Sequence, residues 1–206
     1  MSDWLFEIRR NVPLHQPDKA QLDAAEAGVL MAITDLEDDP HLILTKRAAH
    51  LSSHAGEVAF PGGKRDPEDI TIVDTALRES YEEILLPPDK VEVIGPMPLS
   101  ISKAGLKVTP IIGIIPHQLK LVPSEYEIES LFSVPIRYFL ETPPPDFTYR
   151  EYQGVRYRVP CYHYQNYVIW GLTAYFITDC FNRIFNTGFE LQTPNPLPQD
   201  DKSSIS

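Results

Sequence analysis

The stretch "FPGGKRDPEDITIVDTALRESYEEI", Phe60 to Ile84, runs from a glycine pair into a segment that ends in three glutamates. From Asp69 onward apolar side chains recur at helical spacing (Ile70, Val73, Leu77, Tyr81, Ile84), so the spacing predicts a helix over 69–84 with that stripe on the core. Pro87 and Pro88 stop it. At about 100° per residue, Glu83 falls about 40° to one side of Glu79 and Glu82 about 60° to the other. The three carboxylates are therefore expected to share a face turned away from the core. Like charges at this spacing repel by roughly 0.2–0.5 kcal/mol per pair. A hard divalent cation, which takes oxygen ligands and keeps waters and phosphates beside a few carboxylates, would offset that repulsion. Arg78 is placed to pair with Glu82 or to reach back to Asp69 or Asp66. Gly62 and Gly63 let backbone groups approach a metal or a phosphate closely. A solvated acidic face also reads as Glu-x-x-Glu-Glu. The glycine pair and the arginine at fixed spacing are what point to a ligand.

Outward from this stretch, "AEAGVLMAI" and "HLILTKRA" read as strands around the polar turn "TDLEDDP". "GEVAF" is a short strand ending in the Pro61-Gly62-Gly63 turn. "KVEVIGPM" and "VTPIIGIIP" read as further strands, and "EIESLFSVPIRYFL" as a strand end passing into a short helix. The aromatic-rich segment Phe147 to Tyr167 suggests a hairpin around Gly154, in the core or on a partner surface, and "GLTAYFITDCFNRIF" a buried helix. Strands with helices interspersed but not regularly alternating predict an α+β sandwich.

Length, at 206 residues, fits one domain with extensions. The N-terminus carries charge on both sides of a very short apolar run, so no signal peptide is expected, and no apolar run approaches the ~18 residues of a membrane span. Cys161 and Cys180 are expected to be reduced core residues of a cytoplasmic protein. A net charge of −11 argues against a nucleic-acid polymer as partner. A small phosphorylated ligand would need cations from the site, and Lys46, Arg47, Lys64 and Arg65 cluster near the glycine pair.

"GGKRDPED…LRESYEEILL" resembles the Nudix box, the loop–helix–loop signature of hydrolases that cleave nucleoside diphosphates linked to another group. "LILTKRAAHLSSHAGEVAFPGG" is similar to a narrower signature upstream of the box in the coenzyme A pyrophosphatase branch. That branch also has one more residue between the glycine and the Arg-Glu pair than the general box, as this chain does. The resemblance extends through "LKVTPIIG", "EIESLFSVP" and "IWGLTA", from about residue 27 to 180. It implies a Nudix-type α/β/α sandwich with a mixed sheet over 23–188, an N-terminal extension over 1–22 and a disordered tail over 189–206. It implies Mg²⁺ or Mn²⁺ held by Glu79, Glu82, Glu83 and the Gly63 carbonyl. Glu79, Glu83, Glu127 and Arg78 would be catalytic, Glu127 matching a downstream acid. Lys46, Arg47, Gly62, Gly63 and Lys64 would meet the substrate, and His54 would be a structural hydrogen-bonding residue. Products from coenzyme A would be 3′,5′-adenosine diphosphate and 4′-phosphopantetheine (or its acyl form). Two positions depart from the pattern: Ser52 stands where the branch usually has arginine, and Leu85 where the box usually ends in glycine. Alternatives are hydrolysis of ADP-ribose, NADH or a dinucleotide, or a nucleotide-sensing module of the same fold. A homodimer is a possible assembly.

Overall fold

Residues 26–34 are apolar almost without interruption after Glu26, the signature of a strand covered on both faces. In the computed structural model, which describes residues 3–15, 26–102, 104–142, 146–152, 155–189 and 191 (backbone only at 15, 146–152 and 155–159), this segment is the centre of the fold. The elements in chain order are α1 (Trp4–Asn11), β1 (Glu26–Thr34), β2 (His41–Arg47), β3 (Val58–Ala59), β4 (Gly62–Lys64), α2 (Ile72–Ile84), β5 (Glu92–Pro96), β6 (Ser100–Ile101), β7 (Lys107–Ile115), β8 (Ile128–Pro135), α3 (Ile136–Glu141), β9 (Asp146–Tyr152), β10 (Val155–Tyr164), β11 (Tyr167–Trp170) and α4 (Gly171–Phe185).

β1 runs parallel to β7 over its whole length, from Glu26↔Lys107 to Thr34↔Ile115. Its antiparallel contact with β2 is confined to Ile33↔Leu42, and at its other end it pairs with β4 through Ala27↔Lys64, Gly28↔Gly63 and Val29↔Gly62. β1 and β2 thus diverge, and the glycine pair is threaded as a strand where a turn was expected. The path β3-β2-β1-β7-β5 carries β8 on β2 and β6 on β7, a mixed sheet. β9, β10 and β11 form a second, antiparallel sheet, with the hairpin expected around Gly154 present as β9–β10.

Alternation along β1 divides the interior. Met31 and Ile33 face a core that includes Leu5 and Ile8 of α1 and Phe176, Ile177, Cys180 and Phe181 of α4. Leu30 and Ala32 face Ala76 and Ile84 of α2. The sheet is therefore covered by α2 on one side and by α1 and α4 on the other, the α/β/α sandwich expected from the sequence. Cys161 and Cys180 are buried and neither forms a disulfide. Among the described residues no helix is long and apolar enough to cross a membrane. The tail beyond 191 lies outside the described residues.

α2 keeps Val73, Leu77 and Ile84 of the predicted stripe against the core and departs from it at Ile70 and Tyr81. It begins at Ile72, capped by Thr71, whose hydroxyl accepts from the Asp74 N–H while the Asp74 carboxylate accepts from the Thr71 N–H. Ile70 therefore precedes the helix and is 80% exposed, and Tyr81 is exposed as well. The buried face is Thr75, Ala76, Ser80, Glu83 and Ile84. Small residues serve there because the helix lies almost on β1: a Cβ on Gly28 would stand 2.5 Å from the Ile72 carbonyl oxygen and 3.1 Å from the Ala76 nitrogen.

Candidate active site

β4 runs along the flank of α2 and meets its glutamates there. A Cβ on Gly63 would stand 2.4 Å from the Glu79 carboxyl carbon, so a side chain there would push the Glu79 carboxylate out of its present place. One turn on, Glu83 is 3% exposed, with Oε2 accepting from the Gly62 N–H at 3.2 Å and Oε1 from Arg47 Nη1 at 3.1 Å. The expectation that all three glutamates face away from the core is thus corrected. Glu79 and Glu83 turn into the cleft between α2 and β4, and Glu82 alone lies open to solvent, 54% exposed. Their angles about the helix were as expected. Their burial comes from β4, which arrives through pairing with β1.

Burial pushes the Glu83 carboxyl up to about 7, against the Gly62 N–H and Arg47, with the charges of Glu79 and Glu127 adding to the rise. Burial also raises Glu79, opposed by Arg78. Asp69 lies at the other extreme. Its carboxylate accepts Nε and Nη2 of Arg78, both at 3.1 Å, the Asp66 N–H and the Thr75 hydroxyl. Arg78 above all holds it at about 2.

Arg78 is the hub. Beyond Asp69, Nη2 donates to the Lys64 carbonyl at 3.1 Å and lies 3.0 Å from Glu79, and Nη1 donates to Glu82 at 3.2 Å. It ties the loop between β4 and α2 to both ends of the acidic patch, the pinning expected from its spacing. Thr75 as the buried partner of Asp69 had no signal in the sequence.

The remaining candidates divide. Lys46 and Arg47 are adjacent at the end of β2, where its register against β8 shifts, and the two cations go to different partners. Arg47 enters the site on Glu83, whereas Lys46 Nζ pairs with Glu129 at 2.6 Å. Lys64 is exposed and joins the site through its carbonyl. Glu127 comes to the site because its loop is fastened to the last turn of α2: the Ser124 N–H donates to the Glu83 carbonyl at 2.8 Å and the Val122 N–H to that of Ile84 at 3.0 Å. His54 bonds Glu57 at 2.8 Å, the structural role expected of it. Ser52 is exposed on the segment between β2 and β3.

The groups expected to hold a metal are Glu79, Glu82, Glu83 and the Gly63 carbonyl, and burial raises two of these carboxyls, Glu79 and Glu83, leaving them in want of a positive charge. The guanidinium groups of Arg47 and Arg78 supply that charge as the side chains stand. Among the described residues no three acidic, histidine or cysteine side chains stand close enough together to hold a metal ion by themselves. A cation bound here would draw much of its coordination from water and substrate phosphates.

Residues 25–135 match the family model described as NUDIX domain. A protein of Yersinia enterocolitica described as "Uncharacterized Nudix hydrolase NudL" is 39% identical over 174 residues, covering 84% of this chain and 88% of that one. One of the same description from Enterobacter sp. is 42% identical over 156 residues, covering 74% and 79%. Among solved structures, a Nudix hydrolase from M. smegmatis, RenU, aligns with a TM-score of 0.48 at 22% identity, covering 62% of this chain and 81% of that one.

Proposed function

The chain belongs to the Nudix family, hydrolases of pyrophosphate bonds in nucleoside diphosphate derivatives, and on that premise we propose that it cleaves coenzyme A or a derivative to 3′,5′-adenosine diphosphate and 4′-phosphopantetheine or its acyl form. The observation that carries the hydrolytic reading is the pair of desolvated carboxylates, Glu79 and Glu83, closed against Gly63 and Gly62 with Arg78 bridging patch and loop. Support for coenzyme A comes from the similarity of residues 42–63 to the upstream signature of that branch. Hydrolases of this family use divalent cations, and Mg²⁺ or Mn²⁺ suits the donor set of Glu79, Glu82, Glu83 and the Gly63 carbonyl. When bound, such a cation supplies Lewis acidity to the phosphate oxygens and lowers the pKa of water.

The chain's own residues do the rest. Arg78 holds Glu79 and Glu82 in register with the loop, so the acids keep their spacing when substrate arrives. Arg47, bonded to Glu83, would meet a phosphate oxygen of the substrate. A carboxylate of the site, Glu79 or Glu127, takes the proton of the attacking water. Ser52 favours a second reading within the class. Without arginine there the chain lacks a cation for a phosphate of coenzyme A, which leaves ADP-ribose, NADH or a dinucleotide as the alternative substrate. The full set of Arg78, Glu79, Glu82 and Glu83 argues for catalysis over nucleotide sensing alone.

Product analysis tests both readings. Coenzyme A, ADP-ribose, NADH and a diadenosine polyphosphate would each be incubated with the protein and Mg²⁺ or Mn²⁺, beside a Glu83→Gln control. Release of 3′,5′-adenosine diphosphate from coenzyme A, abolished in the control, is the expected result. Turnover of another panel member instead would overturn coenzyme A and keep the hydrolase. Nucleotide binding with no turnover of anything would overturn the hydrolase.

A further inference from the structure

Tyr126 is 72% exposed, although the backbone on both sides of it is hydrogen-bonded near the site. The Val122 and Ser124 N–H groups donate to the carbonyls of Ile84 and Glu83, the Glu127 and Ile128 N–H groups to that of Ser124, and the Ala48 N–H to that of Glu127. The segment carrying the ring is thus fastened between the end of α2 and the end of β2, with Tyr126 one residue from Glu127 and two from the residue bonded to Glu83. An aromatic side chain that could bury ~150–250 Å² on folding stands in solvent there. It meets His50, from the segment after β2, at 5.1 Å between ring centroids and 61° between planes. One tilted contact covers at most one face of each ring, so faces of both stay open beside the acidic cleft.

We propose that Tyr126, with His50 beside it, is the platform on which the nucleobase of the diphosphate substrate stacks. The proposal rests on the hydrolase reading above and adds to it the group that recognises the nucleoside half. The place is right: the diphosphate binds against Glu79, Glu83 and the glycine pair, and the base must lie a ribose away on one side. Among the described residues Tyr126 is the strongly exposed aromatic next in the chain to Glu127, whose charge reaches Glu83. Phe6, also exposed, belongs to α1 across the sheet, and Tyr81 lies about 160° around α2 from Glu83. The chemistry suits a chain of net charge −11, since stacking holds a base without further cations.

Equilibrium titration with ADP and, separately, with inorganic pyrophosphate, each with Mg²⁺, tests this on wild type, Tyr126→Ala and Tyr126→Phe. Stacking on one aromatic predicts an ADP affinity about tenfold weaker in Tyr126→Ala. Pyrophosphate, which has no base, binds all three proteins alike, and Tyr126→Phe keeps the wild-type affinity for ADP. Unchanged ADP binding in Tyr126→Ala, parallel weakening of both ligands, or a wild type that binds no ADP would each overturn the platform. Hydrolysis assays on the same samples separate the two readings. A wild type that cleaves no diphosphate but binds ADP through Tyr126 sinks the hydrolase and keeps the platform. Cleavage by Tyr126→Ala with unchanged KM does the reverse.

Discussion

At the scale of the residue, Glu83 sets burial against ionisation. Its carboxyl, raised by burial from an ordinary 4.5 to about 7, binds a proton more readily folded than unfolded. Such a group favours the native state most below pH 4.5, and that contribution is lost as pH rises through 7. At 1.36 kcal/mol per pKa unit the loss across this window is roughly 3 kcal/mol for the metal-free protein. Asp69 has the opposite sign: held at about 2, it contributes stability above the ordinary carboxylate range that is lost only as pH falls towards 2. Between pH 5 and 8 it stays ionised and does not mask Glu83. Urea denaturation of metal-free Glu83→Gln is therefore expected to show a gain of about 1–3 kcal/mol over wild type at pH 8 and little difference at pH 5, while activity is abolished at both. An equal loss of stability at both values would mean that the ion pair with Arg47 outweighs burial.

At the scale of the element, α2 shows what a sequence states about itself and what it leaves to its neighbours. The helix, its proline stop and the angular spread of Glu79, Glu82 and Glu83 follow from local period. Its buried face follows in part. Val73, Leu77 and Ile84 of the apolar stripe pack on the core, but the closest approach is Ala76 against Gly28, a small residue that the period does not single out. The conspicuous apolar side chains Ile70 and Tyr81 stand outside that face. The burial of Glu83 depends on β4 pairing with β1, a contact more than thirty residues apart in the chain and absent from the helical pattern. The departure at Leu85 is local and legible. It caps α2 at φ 51°, ψ 36°, left-handed values that suit glycine. A left-handed residue with a Cβ costs about 1–2 kcal/mol, of which glycine's greater freedom in the unfolded chain returns roughly 0.5–1. Leu85→Gly is expected to stabilise the protein by about 0.5–1 kcal/mol in thermal denaturation, with kcat unchanged. A destabilised variant would show that the half-exposed leucine packs for more than its backbone costs.

At the scale of the whole molecule, the sheet is a wall with the chemistry on one side and its structural support on the other. α2 and β4 frame the acids, and α1 and α4 close the opposite face through Leu5, Ile8, Phe176, Ile177 and Phe181. The N-terminal segment reads in the sequence as an extension, but its helix places Leu5 and Ile8 in the main core, and the Asn11 amide donates to the Ile184 carbonyl at 2.6 Å. Charge also links α1 to the sheet, through the exposed pair of Arg9 with Glu92 at 2.8 Å. The two anchors differ greatly in worth. An exposed ion pair contributes about 0–1 kcal/mol. Truncating a fully buried isoleucine loses both its transfer from water and the packing around the cavity, about 2–5 kcal/mol. Ile8→Ala is therefore expected to cost several times what Arg9→Ala does in urea denaturation. Because α1 lies across the sheet from Glu79 and Glu83, both variants should keep wild-type turnover at temperatures where they remain folded. A loss of turnover in folded Ile8→Ala would mean that the sheet transmits the state of one face to the acids on the other.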